Sequence, residues 1–333
     1  MTNPQSAPAV GGSGQALGLT LMMVSLLSTQ IGNSFAKRLT EAMATPIGAV
    51  WMRMAFSAVI LLSFALVRLL ARRIARRKDA SPVAADGVIL PNDVILPKAG
   101  PRRPREAWLL AIAFGVALMT MNSMFYEAIA RIPVGIVVTI EFLGPLSVAV
   151  LGSRRPIDFV WVGLVALGVV ILGVSPTPLT WAGVLFALGA GVCWALYILL
   201  GSRVTRHFQG VNVLTATCTG ATVVLLPLFL LGGNAARVGG PSITLGLVVA
   251  LACTVLPYSL ELAALKHLPT GLFAIVESLA PATAALAAWA LLGEVLHYGD
   301  WIAIGCVVAA SFGASLTAAR RARLRHEVLP SAG

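Results

Sequence analysis

Ile132-Pro133-Val134-Gly135, five further residues, then Glu141-Phe142-Leu143-Gly144-Pro145 is a stretch that this chain uses twice. The second copy reads Leu268-Pro269-Thr270-Gly271, five residues, then Glu277-Ser278-Leu279-Ala280-Pro281. At a constant offset of 136, Pro133 matches Pro269, Gly135 matches Gly271, Glu141 matches Glu277, Leu143 matches Leu279 and Pro145 matches Pro281. Each copy sets a carboxylate in an apolar run, four residues before a proline. Proline has no N–H for the carbonyl four residues back, so a helix through it leaves that carbonyl without its bond. In both copies the carbonyl is the glutamate's own. The sequence predicts an ionisable side chain and an orphaned backbone acceptor at one point, twice, with Pro145 and Pro281 as the helix breaks.

Hydrophobic residues make up 58% of the 333 residues and charged ones 11%, whereas soluble domains carry about 25% charged residues. The apolar runs are about 20 residues long, the length that crosses a bilayer as helix. A β-barrel would show short alternating segments instead. The reading is an all-α membrane protein. The net charge of +11 does not mark a nucleic-acid binder, because the basic residues gather in alternate connections, as membrane topology demands. Cys193, Cys218, Cys253 and Cys306 all fall inside apolar runs without metal-ligand spacing, and read as small packing residues. No metal and no cofactor are expected. Residues 1–15 contain no Lys or Arg, unlike the basic leader of a signal peptide, so the first helix reads as a retained span.

Ten hydrophobic spans are predicted, at about 16–36, 47–70, 107–127, 134–153, 157–174, 180–200, 211–231, 243–265, 271–292 and 299–317. Most connections are short and rich in Pro, Gly or charge. The exception, 71–106, is basic at both ends and punctuated by proline, and reads as a flexible loop. Residues 318–333 read as a basic tail. With the N-terminus in the cytoplasm, 19 of the 24 Lys and Arg lie on the cytoplasmic side and four, Lys37, Arg38, Arg131 and Arg237, on the other. That bias places both termini in the cytoplasm.

The repeat extends past the opening stretch. Asp158 before the fifth span matches Asp300 before the tenth, and Gly163 matches Gly305, at an offset of 142. Spans three to five therefore match spans eight to ten, a shift of five helices. Five is odd, so the second half crosses the membrane in the opposite sense. The expected architecture is ten transmembrane helices as two inverted five-helix repeats, residues 16–174 and 180–317. Inverted repeats of this kind are a transporter design with the site near the midplane between halves.

These stretches also carry a family resemblance. Ile140-Glu141-Phe142 through Gly144-Pro145-Leu146, Ser153-Arg154-Arg155-Pro156 with Asp158-Phe159-Val160-Trp161, Leu188-Gly189-Ala190-Gly191 with Cys193-Trp194-Ala195, Leu256-Pro257-Tyr258-Ser259-Leu260-Glu261, and Leu292-Gly293-Glu294 resemble the threonine/homoserine exporter branch of the drug/metabolite transporter superfamily. Members of that superfamily carry two EamA-type domains. The resemblance covers residues 16–318 and implies a ten-helix inverted fold, efflux of small amino acids and a bacterial inner membrane. The chain departs from the branch at Ala280, where the branch has an acid directly before the proline; here the acid is Glu277.

Ionisable groups inside a membrane are costly and are functional candidates by default. They are Arg53, Glu127, Glu141, Glu261 and Glu277. At 1.5 Å per residue, Glu141 and Arg53 lie roughly 10 Å from one membrane face and Glu277 roughly 9 Å from the other. Burial disfavours a charged carboxylate and a nearby cation favours it, so Glu141 can exchange a proton for a substrate ammonium, with Glu277 as its counterpart. Arg53 has two open readings: it receives a substrate carboxylate bidentately, or it pairs with Glu141 when the site is empty. Permanent structural pairing is the competing account of both. Glu127 reads as a solvated helix-end residue. Glu261 stands one turn from Tyr258 and from Pro257, whose missing N–H frees a carbonyl toward a cavity. Tyr258 and Asn122, matched at the 136 offset, are candidates for hydrogen bonds to cargo. Trp194 and Tyr197 line a pathway or simply pack, and Gly183, Ala187 and Gly191 form a small-residue seam.

The function expected is secondary export of small amino acids, coupled to protons by antiport and alternating access, in contact with membrane lipid. No Gly-x-x-x-x-Gly-Lys-Ser/Thr loop occurs, so this chain is not expected to hydrolyse ATP. A transporter of the same fold for another metabolite or drug is the alternative. An intramembrane enzyme would need a nucleophile–base pair or a metal cluster in the spans, and neither His-Glu-x-x-His nor Gly-x-Ser-x-Gly occurs.

Overall fold

The computed structural model describes residues 12–78, 105–151, 156–177, 179–204, 210–265, 267–268 and 270–328. Among these residues the ordered elements are helical. They are α1 (Gly12–Ala42), α2 (Pro46–Lys78), α3 (Arg105–Ile129), α4 (Val134–Glu141), α5 (Leu143–Leu151), α6 (Pro156–Val174), α7 (Trp181–Val204), α8 (Gly210–Leu231), α9 (Gly240–Ala250), α10 (Leu256–Ala264), α11 (Thr270–Glu277), α12 (Ala280–Leu292) and α13 (Tyr298–Val328). A π-helical turn, Leu251–Val255, joins α9 to α10. Among the described residues eight helical segments are long and apolar enough to cross a membrane, and Val134–Val148 and Val160–Val174 are shorter apolar ones. Leu185, Val170 and Leu231 stand outside at 65%, 63% and 85% exposure. Apolar surface on that scale faces lipid rather than water, and the chain is a multi-pass membrane protein.

The prolines break the helices where the sequence predicts. Helix α4 stops at Glu141, Phe142 forms a turn, and α5 starts at Leu143. Helix α11 stops at Glu277, and Ser278 and Leu279 turn before α12. The orphaned Glu141 carbonyl is set against α7. A Cβ built on Gly191 would meet that oxygen at 2.8 Å, and one on Gly144 would collide with the Gly191 carbonyl. The two backbones touch there, and only glycine permits the approach. Gly135 plays the same part at α12, where an added Cβ would lie 2.7 Å from Ala285 Cα.

Helix α3 lies along α7, and α1 lies along α9, the π turn and α10. Helices α4 and α5 pack on α7, and α11 and α12 pack on α1. Helix α2 pairs with α8, α6 with α13, and α4 with α12. The buried core runs through these contacts, with Met22, Leu39, Tyr126, Ile136, Ala284 and Ile304 fully enclosed.

Two expectations about the ends of spans need correction. Helix α2 runs on through Lys78, and α3 begins at Arg105, so the margins of the expected 71–106 loop are helical. Helix α13 likewise continues to Val328, well into the expected tail. Ala and Arg dominate both extensions and are strong helix formers. Residues 79–104, the Ser153-Arg154-Arg155 stretch, Lys266 and Pro269 lie outside the described residues.

The Gly191 contact sets an expectation for stability. Gly191→Val should lower the melting temperature in detergent, by the roughly 1–3 kcal/mol typical of overpacking. Gly220→Ala, where an added Cβ meets nothing within 4 Å, should be neutral or slightly stabilising. An unchanged melt for Gly191→Val would show that the seam between α4–α5 and α7 is not tight.

Candidate functional site

Between the broken helices lies a cavity of about 660 Å³, within the size range of small-molecule sites. The six residues singled out for substrate or proton handling, Arg53, Asn122, Glu141, Tyr258, Glu261 and Glu277, all line it. So do Pro145 and Pro257, together with Trp194 and Tyr197. Pro281 does not; it is buried in the first turn of α12. Glu127 is tied up elsewhere in an ion pair with Arg131 one turn along.

Arg53 is held by neutral groups. Its Nε donates to Thr254 Oγ1 at 3.1 Å, one terminal nitrogen to Asn122 Oδ1 at 2.7 Å, and the other to the Cys253 carbonyl at 3.0 Å. The Cys253 carbonyl is the one that Pro257, four residues on, leaves without a helical partner. Asn122 Nδ2 donates to the Leu118 carbonyl at 2.8 Å, which fixes the amide with its oxygen toward Arg53. An Arg53–Glu141 ion pair, one of the two open readings of Arg53, is not formed here: among the described residues the two ion pairs are Lys37–Glu294 and Glu127–Arg131. Similar depth along two helices put the charges at one level, but the π turn and Asn122 claim the guanidinium first.

The carboxylates differ in their surroundings. Glu261 accepts a hydrogen bond from Ser25 Oγ at 2.9 Å, and Ser25 also donates to the Pro257 carbonyl at 3.3 Å. Glu141 is 6% exposed. Neither Glu141 nor Glu277 has a side-chain hydrogen bond or ion pair among the described residues. A buried carboxylate without a partner is costly, and a cation or a proton supplied from the cavity removes that cost. Among the described residues no group of three or more His, Cys, Asp or Glu side chains is placed to hold a metal ion.

Several polar wall residues escaped the sequence reading. Gln30 and Asn33 of α1, Thr254 of the π turn, and Ser311 and Ser315 of α13 all line the cavity. The signal for the first pair was present: two carboxamides three residues apart share one face of a membrane helix. They were passed over because they carry no charge.

One end of the helix assembly is tied shut by Glu294, in the loop after α12. Its carboxylate pairs with Lys37 at the end of α1 and accepts the Val134 backbone N–H at 2.9 Å, at the start of α4. An anion is favoured at a helix N-terminus, where the first N–H groups lack partners. Arg38 also donates to the Leu291 carbonyl. Asp300, at the third position of α13, accepts the His297 N–H at 2.9 Å and the Thr177 hydroxyl, closing a helix cap of the capping-box kind.

Proline-broken membrane helices around a largely apolar cavity that carries a few charged and polar groups have the form of a helical membrane transporter. Residues 181–316 match the EamA-like transporter family. The threonine/homoserine exporter RhtA of Escherichia coli (strain K12) is 35% identical over 312 residues, covering 93% of this chain and 95% of that protein. RhtA of Salmonella typhimurium (strain LT2) is 33% identical over the same length and coverage. A crystal structure of a protein 17% identical in sequence superposes with a TM-score of 0.57, over 92% of this chain and 98% of that one, and supports the fold alone. The chain belongs to the EamA-like transporters, in the threonine/homoserine exporter branch.

Substitutions at the cavity should separate structural from free groups. Asn122→Leu removes an acceptor from a buried cation and should destabilise the protein by about 1–3 kcal/mol. Glu141→Gln removes a buried charge that has no protein partner and should leave the melting temperature unchanged or raise it. A clear drop for Glu141→Gln in a thermal-shift assay would show that its carboxylate holds the structure together.

Proposed function

We propose that this protein exports small amino acids from the bacterial cytoplasm by proton antiport, in an alternating-access cycle. One observation carries the reading: one cavity is lined by a guanidinium hydrogen-bonded to neutral acceptors and by two carboxylates with no side-chain partner among the described residues. That charge pattern is complementary to a zwitterion. A guanidinium has five N–H donors; Arg53 uses three on Thr254, Asn122 and Cys253, with the Tyr126 hydroxyl also beside it, and what remains is offered to a cargo carboxylate. The cargo ammonium goes to Glu141, which otherwise carries a proton, and Glu277 serves the opposite half of the cycle. The names of the relatives place threonine and homoserine first among the amino acids to test.

The proposed fold is ten transmembrane helices in two inverted repeats, 16–174 and 180–317, with both termini cytoplasmic in the inner membrane. The packing supports this reading. Exchanging the halves turns the α3–α7 contact into that of α1 with α9 and α10, and the contact of α4–α5 with α7 into that of α11–α12 with α1. The α2–α8 and α6–α13 pairs map onto themselves. Five spans per half is an odd number, so such a repeat is inverted. Each half then contributes one proline-broken helix ending in a glutamate, and a rocking of the halves exposes the cavity to each side in turn.

Purified protein in liposomes should move labelled threonine and homoserine, faster with an imposed proton gradient. Glu141→Gln should uncouple movement from the gradient. Arg53→Met should reduce transport by about tenfold or more, the loss of one charge-assisted contact. If the wild-type protein carries no amino acid in either direction, the assignment is wrong. If Glu141→Gln retains full coupling, Glu141 is not the proton site.

A further inference from the structure

Gln30 and Asn33 lie one turn apart on α1, 4% and 7% exposed, and both line the cavity. Asn33 Nδ2 donates to Gln30 Oε1 at 3.0 Å. Asn33 Oδ1 and the Thr29 carbonyl both lie 3.7 Å from the Cys253 thiol and share its one hydrogen. Cys253 is also the residue whose carbonyl holds Arg53. The carboxamide pair and the guanidinium are therefore anchored on one residue of the π turn, the pair through its side chain and Arg53 through its backbone. Gln30 Oε1 is spoken for by Asn33, which leaves the Gln30 Nε2 donors facing the cavity with no protein acceptor among the described residues. Leu26, Met54 and Phe125 also line the cavity. The Gln30 amide is thus a donor in a mostly apolar lining, and a cargo oxygen there can accept its hydrogen.

We infer that Gln30, held in orientation by Asn33, is the residue that selects hydroxylated cargo. This rests on the amino-acid exporter reading above. Cargo whose carboxylate sits on Arg53 has its short side chain beside Cys253, within reach of the carboxamides. The Gln30 amide donates to the side-chain hydroxyl oxygen of that cargo. An apolar isostere leaves the donor unpaired, and a site built to hydrogen-bond a hydroxyl rejects such an analogue far more strongly than a greasy pocket rejects a missing methylene. Gln30 is thus a specificity residue that touches substrate, and Asn33 is a positioning residue that acts through it.

Threonine and valine differ only by a hydroxyl in place of a methyl group, and homoserine and norvaline likewise. Their transport in proteoliposomes, compared as kcat/KM ratios, tests the inference. The wild-type protein should prefer the hydroxylated member of each pair by at least about a hundredfold. Gln30→Met should cut that preference at least tenfold, through a raised KM for threonine and with valine transport unchanged or faster. Asn33→Leu should lower the preference less and also act on KM rather than kcat. Wild-type protein that carries both members equally well overturns the subsite without any variant, and so does a Gln30→Met protein that keeps the wild-type ratio. Wild-type protein that carries no amino acid overturns the exporter reading along with it.

Discussion

A membrane interior offers no water to a backbone carbonyl that has lost its helical hydrogen bond. This constraint organises the protein, because the chain places prolines where they create such carbonyls at the centre of the fold. The carbonyl freed by Pro257 belongs to Cys253 and receives Arg53. Neighbouring carbonyls of the same segment, those of Ala252 and Pro257, receive Ser28 and Ser25 of α1. The carbonyl freed by Pro145 belongs to Glu141 and lies where a side chain on Gly191 of α7 would begin. The breaks at Pro257 and Pro145 are thus set against other helices, so weak points of individual spans become contacts between spans.

The charges follow a related division. At the ends of the helices they are satisfied within the protein: Glu127 with Arg131, and Glu294 with Lys37 and the Val134 N–H. Around the cavity they are not neutralised by one another. Arg53 has three neutral acceptors, while Glu141 and Glu277 line the cavity without side-chain partners among the described residues. A structural ion pair would have quenched both signs at once, because buried opposite charges attract strongly. Keeping them apart leaves a cavity lined by a cation and two carboxylates that do not quench one another.

The same division bears on motion. Glu294 joins the end of α1, the start of α4 and the loop after α12 by side-chain and backbone contacts alone, and side-chain ties can be exchanged without breaking a helix. The glycine seams at Gly135, Gly144 and Gly191 bring whole backbones together and transmit any shift of one helix to the next, as close-packed interiors do.

Much of this was legible in the chain. Helix lengths and lipid-facing surface follow from runs of apolar residues, because a bilayer admits few other solutions. The breaks after Glu141 and Glu277 follow from proline spacing, a purely local rule. The candidate residues Arg53, Asn122, Glu141, Tyr258, Glu261 and Glu277 were found by charge, by proximity to proline and by the repeat, and they do share one cavity. What the chain could not supply was which group reaches which. Depth along a helix can be counted in residues, but its rotation toward a neighbour is set by packing, so depth alone does not decide between the two readings of Arg53. Gln30 and Asn33 carry no charge to mark them, and their place beside Cys253 exists only once α1 lies against the π turn. Local rules reside in the backbone and travel with the sequence; partners across 200 residues are chosen by helix packing, which decides which donors stand within hydrogen-bond distance.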